Sequence, residues 1–259
     1  MALELLPDCI FLGPALPEPF VRLELEAALA KAGLLPKTGG DEGRALHERW
    51  EVYRRKLREL TVRGGPERVR NHVVEPLVER LGYARLEDGG QIRTSLDLED
   101  GGALLVSADG ASRLRVWTAE LGADLDAPAR RGAAYRYSPS RSAERVLQTA
   151  RERLALLTNG VELRLLIVDP ARRDSQIVIP IDQLWMGRGL RGVPDSYRLL
   201  LALASPAGVR FLPDLFEQAR LQQTRVTKEL RVQARQAVEG FVQEVLDHPE
   251  NAAALAAQA

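Results

Sequence analysis

The sequence predicts an α/β protein: a mixed β-sheet flanked by helices, with a helical lead-in at its start and one long helix at its end. Three observations carry that expectation. Val69, Val73, Val74, Leu77, Val78 and Leu81 recur at helical spacing and mark one apolar face over 66–81. Short β-prone runs follow at 83–86, 103–107 and 114–118, set apart by Glu87-Asp88-Gly89-Gly90, Asp100-Gly101-Gly102 and Asp109-Gly110, which have the chemistry of hairpin turns. Asn159-Gly160 then stands between the runs 154–158 and 161–168. That dipeptide is the preferred centre of a type I′ hairpin, where both residues take positive φ.

The remaining elements follow in order. An apolar, Pro-containing start leads to a helix over 18–32 and a Gly-rich break at 38–43. A second helix over 44–60 puts Leu46, Trp50, Tyr53 and Leu57 on one face. Gly64-Gly65-Pro66 ends this segment, and Pro66 suits the first position of the next helix, which carries a bend near Pro76 and stops at Gly82. A loop over 122–140 precedes a helix over 143–153, and a strand over 176–181 follows the hairpin. A short helix over 196–204 comes before the long one. The latter spans 213–247, started by Pro213-Asp214, with Leu215, Ala219, Val226, Leu230, Ala234, Val238, Phe241 and Val245 as an apolar stripe that must pack on something.

Composition excludes several functions. The chain has 259 residues, of which 45% are hydrophobic, so it is long enough for an ordinary buried core. Lys+Arg and Asp+Glu both number 36, which removes the strongly basic signature of many nucleic-acid binders but not local patches. The acidic stretch 87–109 lies between basic segments at 54–70 and 130–153, so the zero is a cancellation. Cys9 is alone and His47, His72 and His248 are scattered, which excludes an internal disulfide and a Cys/His zinc site. These features, with no export segment and no apolar run long enough to span a membrane, point to the cytoplasm.

Short motifs add little. Gly187, Gly189 and Gly192 have G-x-G-x-x-G spacing, but Val193-Pro194 follows at once, so no helix N-terminus is offered to a phosphate and the segment is expected to be a loop. There is no P-loop, no G-x-S-x-G and no metal-spaced His pair.

The order of elements from residue 66 is α-β-β-β-α-β, that of the PD-(D/E)XK nuclease core. The local text is also familiar. The stretch from Val73 through Pro76 to Tyr83, the loop Glu120-Leu121-Gly122-Ala123-Asp124-Leu125-Asp126-Ala127-Pro128, the hairpin at 156–165 and the helix from Phe216 onward resemble one family. It is the N-terminal, nuclease-like region of type IIG restriction-modification proteins and related phage-defence adenine-specific DNA methyltransferases. The resemblance covers about residues 66–248. It implies a degenerate restriction-endonuclease-like core at 66–182, between a helical lead-in at 1–65 and a loop and helical connector at 183–259.

In active relatives the third strand ends in Glu-x-Lys and an aspartate lies in the strand before it. Trp117-Thr118-Ala119 and Gly102 or Ala103 stand at those positions here, so the residues for two-carboxylate, metal-assisted hydrolysis are missing. A shifted register offers Asp97, Asp100 and Glu120 as replacement catalytic candidates, with Mg as their metal, although with Glu99 the two aspartates equally make a solvated acidic turn. The family's Asn-Pro-Pro-Tyr motif and Gly-rich cofactor loop are also absent, so S-adenosylmethionine is expected only in a separate methyltransferase domain or subunit. The implied role is a non-cleaving module that binds double-stranded DNA or acts as a scaffold. The rivals are an active metal-dependent endonuclease and an interaction module without nucleic acid. Arg54, Arg55, Lys56 and Arg58 on the second helix, and Arg130, Arg131, Arg136 and Arg141 on the loop, are the candidate phosphate contacts.

Overall fold

The computed structural model describes residues 9–60, 65–128, 137–170, 172–186, 192–248 and 251. Its centre is a seven-stranded mixed sheet formed by β1 (Ile10–Leu12), β2 (Arg85–Asp88), β5 (Ala103–Val106), β6 (Arg113–Thr118), β7 (Leu154–Thr158), β8 (Glu162–Asp169) and β9 (Arg172–Pro180). The order across it is β1-β9-β8-β7-β6-β5-β2. β2, β5 and β6 are antiparallel neighbours. β7 then pairs parallel to β6, because helix α6 (Pro139–Ala150) carries the chain back to the sheet's starting end. A separate two-stranded ribbon, β3 (Gln91–Arg93) with β4 (Leu98–Asp100), extends the β2/β5 hairpin.

The central strand explains the layering. In β7, Leu154 and Leu156 face the main core, whereas Ala155 and Leu157 face a second cluster with Leu147 of α6, so every residue of the strand is buried. Against the main face pack α1 (Glu18–Leu23), α2 (Leu25–Lys31), α3 (Gly40–Arg58), α5 (Glu75–Leu81), α8 (Asp195–Ala204) and the first turns of α9 (Pro206–Asp247). The expected stripe Leu46, Trp50, Tyr53 and Leu57 on α3 is buried throughout.

Several elements differ from the sequence expectation. The helix over 18–32 is two helices broken at Glu24, which lets Phe20, Val21, Leu25 and Leu29 all reach the core. The lead-in also supplies an edge strand, β1. Between α4 (Pro66–Val69) and α5 the chain takes a π-helical turn, Arg70–Val74. Pro76 lacks an N–H and its ring crowds the preceding turn, so the wider turn replaces a simple bend. The final helix starts at Pro206, not Pro213: Ser205 caps it by accepting from the Gly208 N–H, and Pro213 lies inside.

The hairpin at Asn159 forms, but not as a type I′ turn. Only Gly160 takes positive φ, at 78°, and the Asn159 side chain accepts hydrogen bonds from the Val161 and Glu162 N–H groups at 2.9 Å each. A Cβ at Gly160 would stand 2.7 Å from Leu121 and 2.9 Å from Leu60, so a larger residue would also have to displace these side-chain tips. Asn159 also donates to the Ala123 carbonyl at 2.7 Å, fastening the 121–128 loop to the hairpin.

Trp50, Tyr53 and Tyr197 form a buried ring cluster with centroids 5.1 to 6.3 Å apart. Tyr53 donates to the Val73 carbonyl at 3.1 Å. Burial pushes the Tyr197 hydroxyl up to about 12, and burial beside Tyr197 raises that of Tyr53 further. In the unfolded chain both lose their protons near 10, so above that pH the unfolded state binds fewer protons than the folded one. The stability tied to these hydroxyls is therefore complete below pH 10 and lost as the pH rises toward the folded values. Urea titrations from pH 9 to pH 11.5 are expected to show stability falling with a limiting slope of about 1.4 kcal/mol per pH unit for each ring. Tyr53→Phe is expected to remove one such share and to cost about 1 kcal/mol at neutral pH.

Candidate functional site

A cleft of about 560 Å³ opens where β2, β5 and β6 meet the π-helical turn. The turn contributes its two ends, Arg70 and Val74, and widened turns of this kind recur at functional sites. Glu87 and Asp88 of β2 and Asp100 of β4 are among its lining residues, and Trp117 and Thr118 close it from β6.

The floor of the cleft is set by a glycine kink. Gly89-Gly90 and Gly101-Gly102 face each other across the β2-to-β5 hairpin, with the Gly89 N–H bonded to the Gly102 carbonyl and the Gly101 N–H to the Gly90 carbonyl, both at 2.7 Å. A Cβ on Gly89 or Gly101 would lie within 2.4 Å of the opposing backbone, so both positions need glycine. These pairs are therefore not the turns expected from sequence. The hairpin runs on through them as β3 and β4 to a tip at 94–97, which leans on α6: Arg145 sits 3.0 Å from Glu99, hydrogen-bonds Thr94 Oγ1 at 2.6 Å and lies over the Tyr137 ring.

Trp117 packs directly on this kink. The β5/β6 register sets Ala103 opposite Val116, so Trp117 lies beside Gly102. Its indole N–H donates to the Asp100 carbonyl at 3.0 Å, and a Cβ at Gly102 would meet the indole nitrogen at 2.7 Å. Beneath, the buried Arg115 holds Glu152 through two hydrogen bonds of 2.6 and 3.2 Å and donates to the Gly101 carbonyl at 2.7 Å. Arg115 and Trp117 thus grip the kink from one face of one strand.

The sequence candidates separate. Of the three acidic residues, Asp100 alone lines the cleft, with Oδ1 accepting from the Gly102 N–H at 3.0 Å. Asp97 is at the hairpin tip, where its carboxylate accepts from the Leu98 N–H at 2.7 Å, and Glu120 is exposed in the loop after β6. No register slip joins them. Glu87 and Asp88 look like turn residues in the sequence, and their place in the cleft lining follows only once the kink is known. Among the described residues, no group of three or more His, Cys, Asp or Glu side chains is placed to hold a metal ion.

Of the basic candidates, Arg54 pairs with Glu51 at 3.1 Å, Lys56 with Glu59 at 3.4 Å and Arg141 with Glu144 at 3.1 Å. Arg55 is exposed on α3 and has no side-chain partner among the described residues, and Arg58 is exposed near the end of the helix. Arg130, Arg131 and Arg136 lie outside the described residues, as do 187–191 of the glycine-spaced loop. Sequence gave no hint of a buried network on the α6 face. There Arg164 bonds Glu162 at 2.6 Å, Asp126 at 2.8 Å and Gln176 at 3.2 Å. The hydrogen bond from Arg164 holds the Asp126 carboxyl below the usual range, against the opposing effect of burial.

In comparisons with known proteins, no family model, no curated protein and no solved structure matches this chain. No single helix among the described residues is long and apolar enough to cross a membrane.

Gly102→Ala tests how tightly the site is built. The residue sits at φ 65° with the Val116 carbonyl and the indole each 2.7 Å from the new methyl. A loss of about 1–3 kcal/mol in urea denaturation, with a shift in tryptophan emission, is expected.

Proposed function

We propose that this chain is a nuclease-like module that binds double-stranded DNA or scaffolds it without cutting, and that it forms the front part of a restriction-modification or phage-defence adenine-specific DNA methyltransferase. The observation that carries this reading is Trp117. It stands where the nuclease pattern places a glutamate, and its ring is packed on Gly102 and tethered to the Asp100 carbonyl. An indole supplies no lone pair to a hard cation and cannot orient a water for hydrolysis.

Two further features support it. Three antiparallel strands followed, through a helix, by a parallel fourth are compatible with the strand order of a PD-(D/E)XK core. The second half of α9 also carries exposed apolar residues, Leu230, Val238, Phe241 and Val245, continuing the stripe whose start, Leu212, Leu215 and Ala219, is buried. A stripe of this length in water marks a partner surface. The proposed partner is the methyltransferase domain or subunit, which would bring S-adenosylmethionine and place the assembly in the cytoplasm. In this reading the chain itself binds no cofactor.

A second reading, an active Mg-dependent endonuclease, rests on one observation: Glu87, Asp88 and Asp100 are among the residues lining the same cleft, although they do not form a group placed to hold a metal ion. Incubating plasmid DNA with the full chain and Mg²⁺ or Mn²⁺ separates the two. No cleavage is expected; cleavage lost in Glu87→Gln and Asp100→Asn would establish the endonuclease. In parallel, duplex binding is expected to weaken steeply with salt, and Arg55→Ala to reduce the slope by about one. Binding that is absent or insensitive to salt would overturn the DNA contact.

A further inference from the structure

β6 begins at a second cleft, away from the one at its end. Arg113 is the first residue of the strand and Trp117 and Thr118 are its last, so the two sites are roughly 15 Å apart along the chain direction. This second cleft has a volume of about 330 Å³, and its lining includes Arg113, Arg151, Glu152, Arg153 and Arg210. The four arginines come from three separate places: the start of β6, the junction of α6 with β7, and the first part of α9.

The carboxylates nearby are already committed. Glu152 is buried against Arg115 at 2.6 Å, and Asp109 holds Arg210 at 2.7 Å. Arg113, Arg151 and Arg153 have no side-chain partner among the described residues, and the first two are exposed. Bringing unpaired cations together is repulsive, and an anion between them reverses the sign of that interaction. Planar guanidinium forks match the oxygens of phosphate, and the volume is at the small end of ligand cavities, enough for a phosphate or diphosphate group.

The backbone adds a separate observation. Arg151 ends α6 at φ 57°, the only non-glycine residue at positive φ among the described ones. Glycine is the usual residue there, because a side chain costs strain in this conformation. The chain instead keeps a guanidinium at that position, at the rim of the basic cleft.

We propose that this cleft binds a phosphate-bearing ligand through Arg113, Arg151 and Arg153, with Arg210 completing its wall. The phosphate is that of a free oligophosphate or of a nucleic-acid backbone, and two probes distinguish them. Inorganic pyrophosphate is titrated by calorimetry into the full chain, and a short DNA duplex is followed by fluorescence anisotropy, both at low salt. Arg113→Ala and Arg151→Gly are compared with the parent. Arg151→Gly relieves strain, so its melting temperature is expected to rise while its affinity falls about tenfold or more; weakened binding in that variant is then not a folding defect. Arg113→Ala, on an exposed side chain, is expected to show the same loss with an unchanged melting temperature. Pyrophosphate binding lost in both variants identifies a free-phosphate site. Duplex binding alone, weakened in both and with a smaller salt slope, identifies the phosphodiester backbone. Binding of neither probe, or binding that both variants leave intact, overturns the proposal.

Discussion

The buried pair of Arg115 and Glu152 is the constraint on which the site end of the molecule depends. Their side chains are 5% and 8% exposed, so both charges leave water at a cost that only good geometry and full hydrogen bonding offset. The geometry here is two-pronged, and the remaining guanidinium nitrogen reaches the Gly101 carbonyl. One side chain therefore joins β6, the segment between α6 and β7, and the glycine kink of the neighbouring hairpin. Removing either partner would strand a buried charge, a loss of about 3–5 kcal/mol. The pair adds specificity as well: an apolar residue at 115 would fill the space but leave the Gly101 carbonyl without a donor.

From that fixed point the shape of the cleft follows. Holding Gly101 in place lets the two glycine pairs approach to backbone contact, which bends the hairpin and sends β3 and β4 across to α6. The bend presents Asp88 and Asp100 at the cleft and leaves at Gly102 the space in which the Trp117 ring lies. The packing of the Trp117 ring on the kink is thus a result of this one local arrangement. The opposite end of β6 lies at the cleft lined by Arg113, Arg151, Arg153 and Arg210, so one strand runs from a basic cleft to the one beside the kink.

What was legible in the sequence was whatever is decided locally. The stripe on α3 and the strands on either side of Asn159-Gly160 follow from periodicity and form as expected, and the apolar face that includes Val73 and Leu77 is buried although a π-helical turn interrupts its helix. Misplaced features share a different cause. Gly89-Gly90 and Gly101-Gly102 look like turns because glycine serves a turn and a close backbone crossing equally well, and only the pairing partner tells them apart. Pro213 looks like a helix start, but burial of Leu212, Leu215 and Phe216 carries the helix through it. Arg115 and Arg164 look like surface residues because their partners, Glu152, Asp126 and Glu162, meet them only in the folded chain. Of the site, Trp117-Thr118-Ala119 stood out only as a departure from the pattern of the family the sequence resembles, and the cleft-lining Glu87 and Asp88 were not assigned to it.

The proposed reading of the chain depends on Trp117 standing where a nuclease would carry a metal-binding carboxylate and so excluding that chemistry. Titrating Mn²⁺ into the full chain while recording the indole N–H resonances in an NMR spectrum tests it directly, because a bound paramagnetic ion broadens nearby signals selectively. The account predicts that the Trp117 signal broadens no more than that of the buried Trp50 at sub-millimolar Mn²⁺. Selective loss of the Trp117 signal, with Trp50 still sharp, would place a metal in the cleft and contradict it.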